Sequence, residues 1–180
     1  MRKKLYGCLT PVSSLFISAF CVQVMGAKSD TPAARSYCLV HQLVTRWHEA
    51  YQHLDADAMA SLENDSFTLV DRFGELHRAF EKRKQAQIWN DGFEAIDRQR
   101  FTPTFEIRSL QFPVPDVARV QVCTYYEEGI GLLDGSRISP LWQAESFVVV
   151  RIRGTWRITS LDVHDQSAPE GFAKRISPSP

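Results

Sequence analysis

The sequence lacks the motifs of several common catalytic and nucleotide sites. It contains no Cys-x-x-Cys pair, no glycine-rich phosphate loop and no nucleophile-elbow serine. The sequence also has no excess of charge of either sign, because 21 basic side chains balance 21 acidic ones. No basic tract follows residue 26. A nucleic-acid-binding surface is therefore not predicted. His41, His48 and His53 have no mutual four-residue spacing, so the sequence predicts neither a helical metal-ligand pair nor a cofactor.

Cysteine is scarce, and only Cys38 and Cys123 lie beyond the first 26 residues. Two cysteines in an exported protein are compatible with a disulfide. However, Cys123 shares a predicted strand face with Arg119 and Gln121, which points outward, whereas Cys38 opens a predicted helix. This pattern favours two free thiols over a bridge.

The N-terminus has the pattern of a secretory signal peptide. Residues 2–4 are basic, residues 5–25 carry no charge, and small residues follow at 26–27. We expect residues 1–26 to be removed on export to a bacterial periplasm or the extracellular medium. An uncleaved membrane anchor is the alternative, weakened by Pro11 and Gln23. Cleavage would remove three basic residues and no acid, leaving a net charge of −3, and the mature chain is expected to be free of the membrane.

Helical periodicity dominates the first half of the remaining chain. A polar leader is predicted at 27–36, followed by an amphipathic helix at 37–54 with apolar residues three and four apart. Asp55 is the predicted N-cap of a short helix at 56–62. A small hairpin follows at 67–78 around a turn at 71–74, and a third helix covers 81–95.

Four long strands are predicted in the second half, at 101–112, 116–129, 142–152 and 156–164. The tail at 167–180 is predicted to be disordered. The class is therefore α+β, a curved antiparallel sheet with three helices packed on one face. Residues 37–166 are expected to form one domain.

Strand alternation predicts which side chains face the helices. In 116–129 the even positions 118–126 are expected inward, and in 142–152 the even positions again. In the last strand Trp156, Ile158, Ser160, Asp162 and His164 are expected inward, matched by a three-residue loop at 152–154. Parity also predicts an irregular break between Gly129 and Pro140.

The same alternation places four apolar side chains on the outer face of the sheet: Phe147, Val149, Leu161 and Val163. An exposed apolar patch often marks an interface. We therefore expect a homodimer through this face. Cover by the tail or by the loop at 132–133 is the alternative.

Two local segments carry a family resemblance. Residues 63–75 form an acidic turn, strand, Asp and Gly hairpin, and residues 154–158 read Gly-Thr-Trp-Arg-Ile. With Trp47 and Tyr51 on the first helix, they resemble the nuclear transport factor 2-like superfamily, which includes ketosteroid isomerase and the SnoaL-like cyclases. The resemblance implies a cone-shaped half-barrel with a ligand pocket at its open mouth. Ser160 and Asp162 stand where SnoaL-like members often carry His.

The candidate site residues follow from this cone. Asp71 or Asp162 is a candidate general base, with Tyr126 or His164 as hydrogen-bond donor, because apolar walls would raise a carboxylate pKa. Asp71 could instead bind turn amides. The candidate ligand-binding residues are aromatic: Trp47, Tyr51, Trp89, Tyr126, Trp142 and Trp156. Each could also be simple core.

Three classes of function remain open. The favoured one is a binding module for a small apolar or aromatic molecule, without catalysis. The others are a cofactor-independent isomerase, dehydratase or cyclase, and a structural or partner-binding domain whose cone is filled by its own aromatic side chains.

Overall fold

The computed structural model describes residues 31–138 and 141–166. The predicted signal peptide, the first four leader residues, Pro140 and the predicted tail at 167–180 lie outside these residues. The described residues from Leu39 to Gln166 form one compact unit, and the sheet and the site described below belong to it. Within the described residues, no helix combines the length and the apolar character needed to cross a membrane.

The first helix, α1, begins earlier than its periodicity predicts. It spans Pro32–Gln52, so residues 32–36 of the predicted leader are helical. Proline suits the first helical position because its missing N–H would have no partner there, and the Thr31 hydroxyl accepts the amide of Ala34 at 3.2 Å. The buried stripe of α1 consists of Val40, Leu43, Val44, Trp47, His48 and Ala50.

The two shorter helices are close to their predicted ranges. α2 spans Ala56–Leu62, and the Asp55 side chain accepts the Ala58 amide at 2.9 Å, which confirms the predicted N-cap. α3 spans Lys82–Phe93, and a single 3₁₀ turn follows at Arg98–Arg100.

Six strands form one curved, open sheet on whose concave face the helices pack. In chain order the strands are β1 Glu63–Val70, β2 Leu76–Ala79, β3 Thr104–Val114, β4 Val117–Tyr126, β5 Ile130–Gly131, β6 Arg137–Ile138, β7 Leu141–Ile152 and β8 Thr155–Gln166. The order across the large sheet is β2-β1-β8-β7-β4-β3, and β5 and β6 form a separate pair. The sheet is mixed rather than wholly antiparallel, because β1 runs parallel to β8.

The predicted break after Gly129 is confirmed. However, the pairing that follows it turns the odd positions of β7 toward the helices, whereas the even positions were predicted to face them. The β5–β6 pair interrupts the connection, and β4 pairs with β7 in a register that sets Val120 opposite Phe147. The even positions 118–126 of β4 are buried as predicted. On β7 the odd positions are the buried ones: Gln143, Glu145, Phe147 and Val149. The prediction for this strand was wrong, since one residue of slip reverses every side chain.

The turn between β7 and β8 also differs from the prediction. It has two residues, Arg153 and Gly154, with φ of 50° and 83°, as a type I′ hairpin turn requires. The inward-facing positions of β8 switch from even to odd further along the strand. Val149 pairs with Ile158 but Val148 pairs with Ser160, which leaves Thr159 as a bulge. Trp156 and Ile158 are buried as predicted.

Beyond the bulge, Leu161 and Val163 take the inward side, so the inward placement of Ser160, Asp162 and His164 is wrong. The predicted dimer face is wrong for the same reason. Phe147, Val149 and Leu161 are 1%, 0% and 2% exposed and belong to the core of the unit, and Val163 lines its cavity. Homodimerisation itself stays a prediction, without that surface.

Candidate functional site

A cavity of about 560 Å³ lies between the concave face of the sheet and helices α1 and α3. Its wall is largely apolar and aromatic: Trp47, Tyr51, Leu69, Ile88, Trp89, Phe93, Tyr126, Ile130, Leu161 and Val163 contribute to it. A volume of this size and a mostly apolar lining with a few polar groups are typical of small-molecule sites.

The aromatic wall is built around Trp47. Its ring stacks on Tyr51 at a centroid distance of 5.7 Å and meets Trp89 edge-on at 5.4 Å. Trp47 and Tyr51 lie on one face of α1 because they are four residues apart, and Trp89 comes from α3. Trp47, Tyr51, Trp89 and Tyr126 thus all lie in the cavity wall, and their binding role stays a prediction.

Trp142 and Trp156 do not line the cavity. Trp142 meets the ring of Tyr125 edge-on at 4.2 Å, on the β7 face opposite to Gln143. Trp156 is buried, and its ring lies 5.8 Å from that of Phe112. The structure therefore assigns these two predicted ligand-binding residues to side-chain packing.

Asp162 and His164 lie outside the cavity as well. His164 Nε2 is 3.1 Å from Asp162 Oδ1, and the two side chains are 61% and 44% exposed. The bulge at Thr159 places them on the face opposite to Leu161 and Val163. A role in cavity chemistry is therefore not supported for this pair, and the two side chains are polar groups at the solvent-exposed end of β8.

Asp71 does line the cavity, but its carboxylate is fully engaged. Oδ1 accepts the amides of Phe73 and Glu75, both at 2.9 Å, and Oδ2 lies 3.0 Å from His77 Nε2. Partial desolvation raises the pKa of Asp71, yet the bonds from His77 and the two amides outweigh it and hold the pKa below its usual value. The predicted raised pKa is wrong, and the turn-binding alternative is confirmed.

The same turn brings together a possible set of metal ligands. One ligand atom each from Asp71, Glu75 and His77 lies within 4.8 Å of the others. Carboxylate and imidazole ligands suit a divalent transition metal. Both Asp71 oxygens already have protein partners, so an ion would have to displace some of them.

A chain of hydrogen bonds, missed in the sequence, crosses the polar side of the cavity. The hydroxyls of Tyr51 and Tyr126 are 2.7 Å apart, and Tyr126 donates to Gln143 Oε1 at 3.0 Å. Burial raises the pKa of both phenols far above their usual value, so both keep their protons at neutral pH.

Glu145 lies beside Gln143 on β7 and pairs with His48 behind the wall. His48 Nε2 is 2.7 Å from Glu145 Oε2, and the two side chains are 1% and 4% exposed. His48 Nδ1 lies 2.9 Å from the Val44 carbonyl, which can only accept, so this nitrogen carries a proton. The pair therefore shares one further proton between Nε2 and Oε2. A histidine on the apolar stripe of α1 was the available sequence signal.

A second buried carboxylate, Glu63, supports the wall from outside the cavity. Its Oε1 accepts the indole N–H groups of Trp47 at 3.1 Å and Trp89 at 2.8 Å. Desolvation raises the pKa of Glu63 to about 7, partly offset by the indole bonds and by the charge of Lys82. Nothing in the sequence marked this residue, because acidic residues at strand starts are usually exposed.

A family model for the SnoaL-like domain matches residues 40–165. The chain belongs to the SnoaL-like domain family. The match covers most of the chain, from within α1 to within β8, which confirms the resemblance to the nuclear transport factor 2-like superfamily.

Solved structures share the fold of this SnoaL-like domain at low identity. A ketosteroid isomerase-like protein from Erwinia carotovora atroseptica is 17% identical with a TM-score of 0.63, covering 72% of this chain and 95% of that one. A protein with a cystatin-like fold from Caulobacter vibrioides is 15% identical with a TM-score of 0.60, covering 78% and 94%. A nuclear transport factor 2-like protein of unknown function from Shewanella oneidensis is 16% identical with a TM-score of 0.56, covering 72% and 99%. No curated protein matches in sequence.

Proposed function

We propose that this SnoaL-like domain binds a small, mainly apolar or aromatic molecule in its cavity, without transforming it. The observation that supports the proposal is the cavity of about 560 Å³ with an aromatic wall and polar groups gathered on one side. A structural domain whose cone is filled by its own aromatic side chains would not have this space. Desolvating an apolar ligand there would supply the affinity.

The test is calorimetric titration of the purified protein with small aromatic and alicyclic probes. Val163→Trp should fill the cavity and abolish binding, because Val163 lines it. His164→Trp is the matched control, since the neighbouring side chain lies on the opposite face of β8 and is 61% exposed. Binding that survives Val163→Trp, or is lost equally in both variants, would contradict a cavity site.

Catalysis is the second candidate, and for it we propose Glu145 as the base in place of Asp71 or Asp162. Glu145 lines the cavity and shares a proton with His48, whereas Asp71 is engaged in its turn and Asp162 faces away. A carboxylate that can exchange a proton with a buried imidazole suits proton abstraction. Isomerisation and dehydration assays on the probes that bind in the calorimetric titration test whether Glu145 is a general base. Activity that persists in Glu145→Gln would exclude this base.

We also propose that residues 1–26 direct export. The support is the basic, uncharged and small-residue pattern of that segment. Mass spectrometry of the mature protein from a bacterial host fractionated into cytoplasm and periplasm tests it. A periplasmic product beginning near Ala27 is expected, and an intact cytoplasmic chain would contradict export.

A further inference from the structure

The hydrogen-bond donors of the aromatic wall all point at protein acceptors. The indole N–H groups of Trp47 and Trp89 both go to Glu63 Oε1, on the far side of the wall from the cavity. Each indole has a single donor and no acceptor. Neither tryptophan can therefore donate to a molecule in the cavity.

The phenolic protons of Tyr51 and Tyr126 are also bonded to acceptors within the protein. Tyr126 gives its only proton to Gln143 Oε1 at 3.0 Å, so the proton in the 2.7 Å contact between the two hydroxyls must come from Tyr51. Both phenolic protons are thereby engaged within the wall. What remains on the oxygens of Tyr51 and Tyr126 is unshared lone pairs, which can only accept.

Glu145 adds a stronger acceptor on the same side. Its Oε2 is bound to His48, and among the described residues no donor is bonded to its Oε1. Tyr51, Tyr126 and Glu145 all line this cavity, and Glu145 is two residues from Gln143 on the buried face of β7. The side chain of Gln143 accepts from Tyr126, and this residue makes a further interaction.

The charges of the cavity lining agree with this pattern. Asp71, Asp91 and Glu145 are acidic, against the guanidinium of Arg72. Arg72 lies on the turn after β1, and its guanidinium stands 4.7 Å from the ring of Phe73, which is 76% exposed, so its donors lie toward the mouth. Its charge still acts on both tyrosines, so Arg72 is the competing donor that the Arg72→Met variant tests.

We infer that the molecule bound in this cavity has an apolar body with a hydrogen-bond donor, a hydroxyl or amino group. The oxygens of Tyr51 and Glu145 accept the hydrogen bond from this donor. The inference rests on the proposed binding function and specifies its ligand class. Beside Tyr51 and Glu145, a group that only accepts, such as an ether or ketone, would meet lone pairs rather than donors, and a buried polar group left without a partner is strongly disfavoured.

The main comparison uses three probes with the same cyclohexylphenyl body: 4-cyclohexylphenol, its methyl ether 4-cyclohexylanisole, and cyclohexylbenzene. Titration calorimetry on the native protein should show the phenol binding about tenfold more tightly than the ether, as one satisfied buried hydrogen bond implies. 4-Cyclohexylaniline should resemble the phenol. Cyclohexylbenzene reports on the apolar cavity alone.

Two variants reverse or remove the preference. Tyr126→Phe takes away the acceptor of the Tyr51 proton, which then becomes available, so the ether should gain affinity and approach the phenol. Tyr51→Phe should weaken the phenol by about tenfold and leave cyclohexylbenzene unchanged. An unchanged affinity for cyclohexylbenzene shows that each variant keeps its cavity.

The outcomes separate this inference from the proposed function. If none of the probes binds, the binding function itself fails. If the phenol, the ether and cyclohexylbenzene bind equally, the cavity binds apolar molecules, but the inference that its ligand carries a hydrogen-bond donor is wrong. If the ether binds more tightly and loses that advantage in Arg72→Met, the polar end sits at the mouth and the inference is overturned.

Discussion

Trp47 and His48 are neighbours on α1, and each binds a buried carboxylate in a different way. Trp47, with Trp89, donates neutral N–H groups to Glu63, whereas His48 shares a proton with Glu145. Both carboxylates are at most 4% exposed. The difference lies in the partner: an indole cannot supply a compensating charge, and an imidazole can.

That difference explains their separate roles. Desolvation without a counter-charge in contact leaves Glu63 with a pKa of about 7, behind the wall and outside the cavity lining. Glu145 has an ionisable partner and faces the cavity. One carboxylate therefore orients the aromatic wall, and the other presents a polar group to the cavity.

Breaking the His48 pair should have the largest effect. His48→Leu leaves Glu145 without its partner in a buried position, which typically destabilises a protein by about 3–5 kcal/mol. Chemical denaturation at neutral pH measures this change. The double variant His48→Leu, Glu145→Leu should recover most of the loss. A single variant as stable as the native protein would show that Glu145 does not depend on His48.

The pH dependence of Glu63 comes next. Burial raises its pKa from 4.5 to about 7, so between these values the folded state binds a proton that the unfolded chain has released. This stabilisation is complete below about pH 4.5 and is lost as the pH rises through 7, a change of about 3 kcal/mol.

Glu63→Gln removes this titration while keeping an oxygen for the two indoles. The difference in unfolding free energy between native protein and variant, measured from pH 4 to 8, should follow a single titration in that window. A difference that stays constant with pH would mean that Glu63 is ionised throughout, as an exposed acid would be.

Ligand binding should distinguish the two carboxylates more finely. Glu145→Gln replaces a charged acceptor at the cavity with a neutral one and should weaken 4-cyclohexylphenol by about tenfold, about 1.4 kcal/mol. Glu63→Gln is the matched control and should change its affinity little. Equal losses in both variants would indicate that the substitutions act through the wall rather than through a contact.

The smallest expected effect concerns Lys82, which sits beside Glu63. Its ammonium donates to the backbone carbonyls of Ala60 and Glu63, and its charge lowers the pKa of Glu63. Lys82→Met should destabilise the fold by about 1 kcal/mol and raise the Glu63 pKa further. Carboxyl-resolved NMR measures that pKa, and a downward shift would contradict the assigned direction.

Much of the architecture could be predicted from local patterns. Helical periodicity located α1 and α3, and the Asp55 cap located the start of α2. These features depend on residues three or four apart, which the sequence displays directly. The predicted inward positions of Trp47, Tyr51, Trp89 and Tyr126 agree with the cavity wall, because these residues lie on such periodic faces or on β4, whose parity was predicted correctly.

The site required information that local patterns do not contain. Glu145 was predicted to face outward because the odd positions of this strand include the polar residues Gln143, Glu145 and Arg151, and the loop at 152–154 and the break after Gly129 were chosen to match that assignment. The two-residue turn at Arg153 and the bulge at Thr159 are settled only when strands pair. One residue of slip exchanged Asp162 and His164 for Leu161 and Val163 at the cavity.

The sequence by itself determined the elements, their order and the superfamily, because propensity, capping and alternation are local. Only the tertiary structure decided which acids are buried and what partners them. His48 and Glu145 are 97 positions apart, and Trp89 and Glu63 are 26 apart. Such contacts exist only after the helices pack on the sheet, when desolvation makes a hydrogen bond to a carboxylate matter.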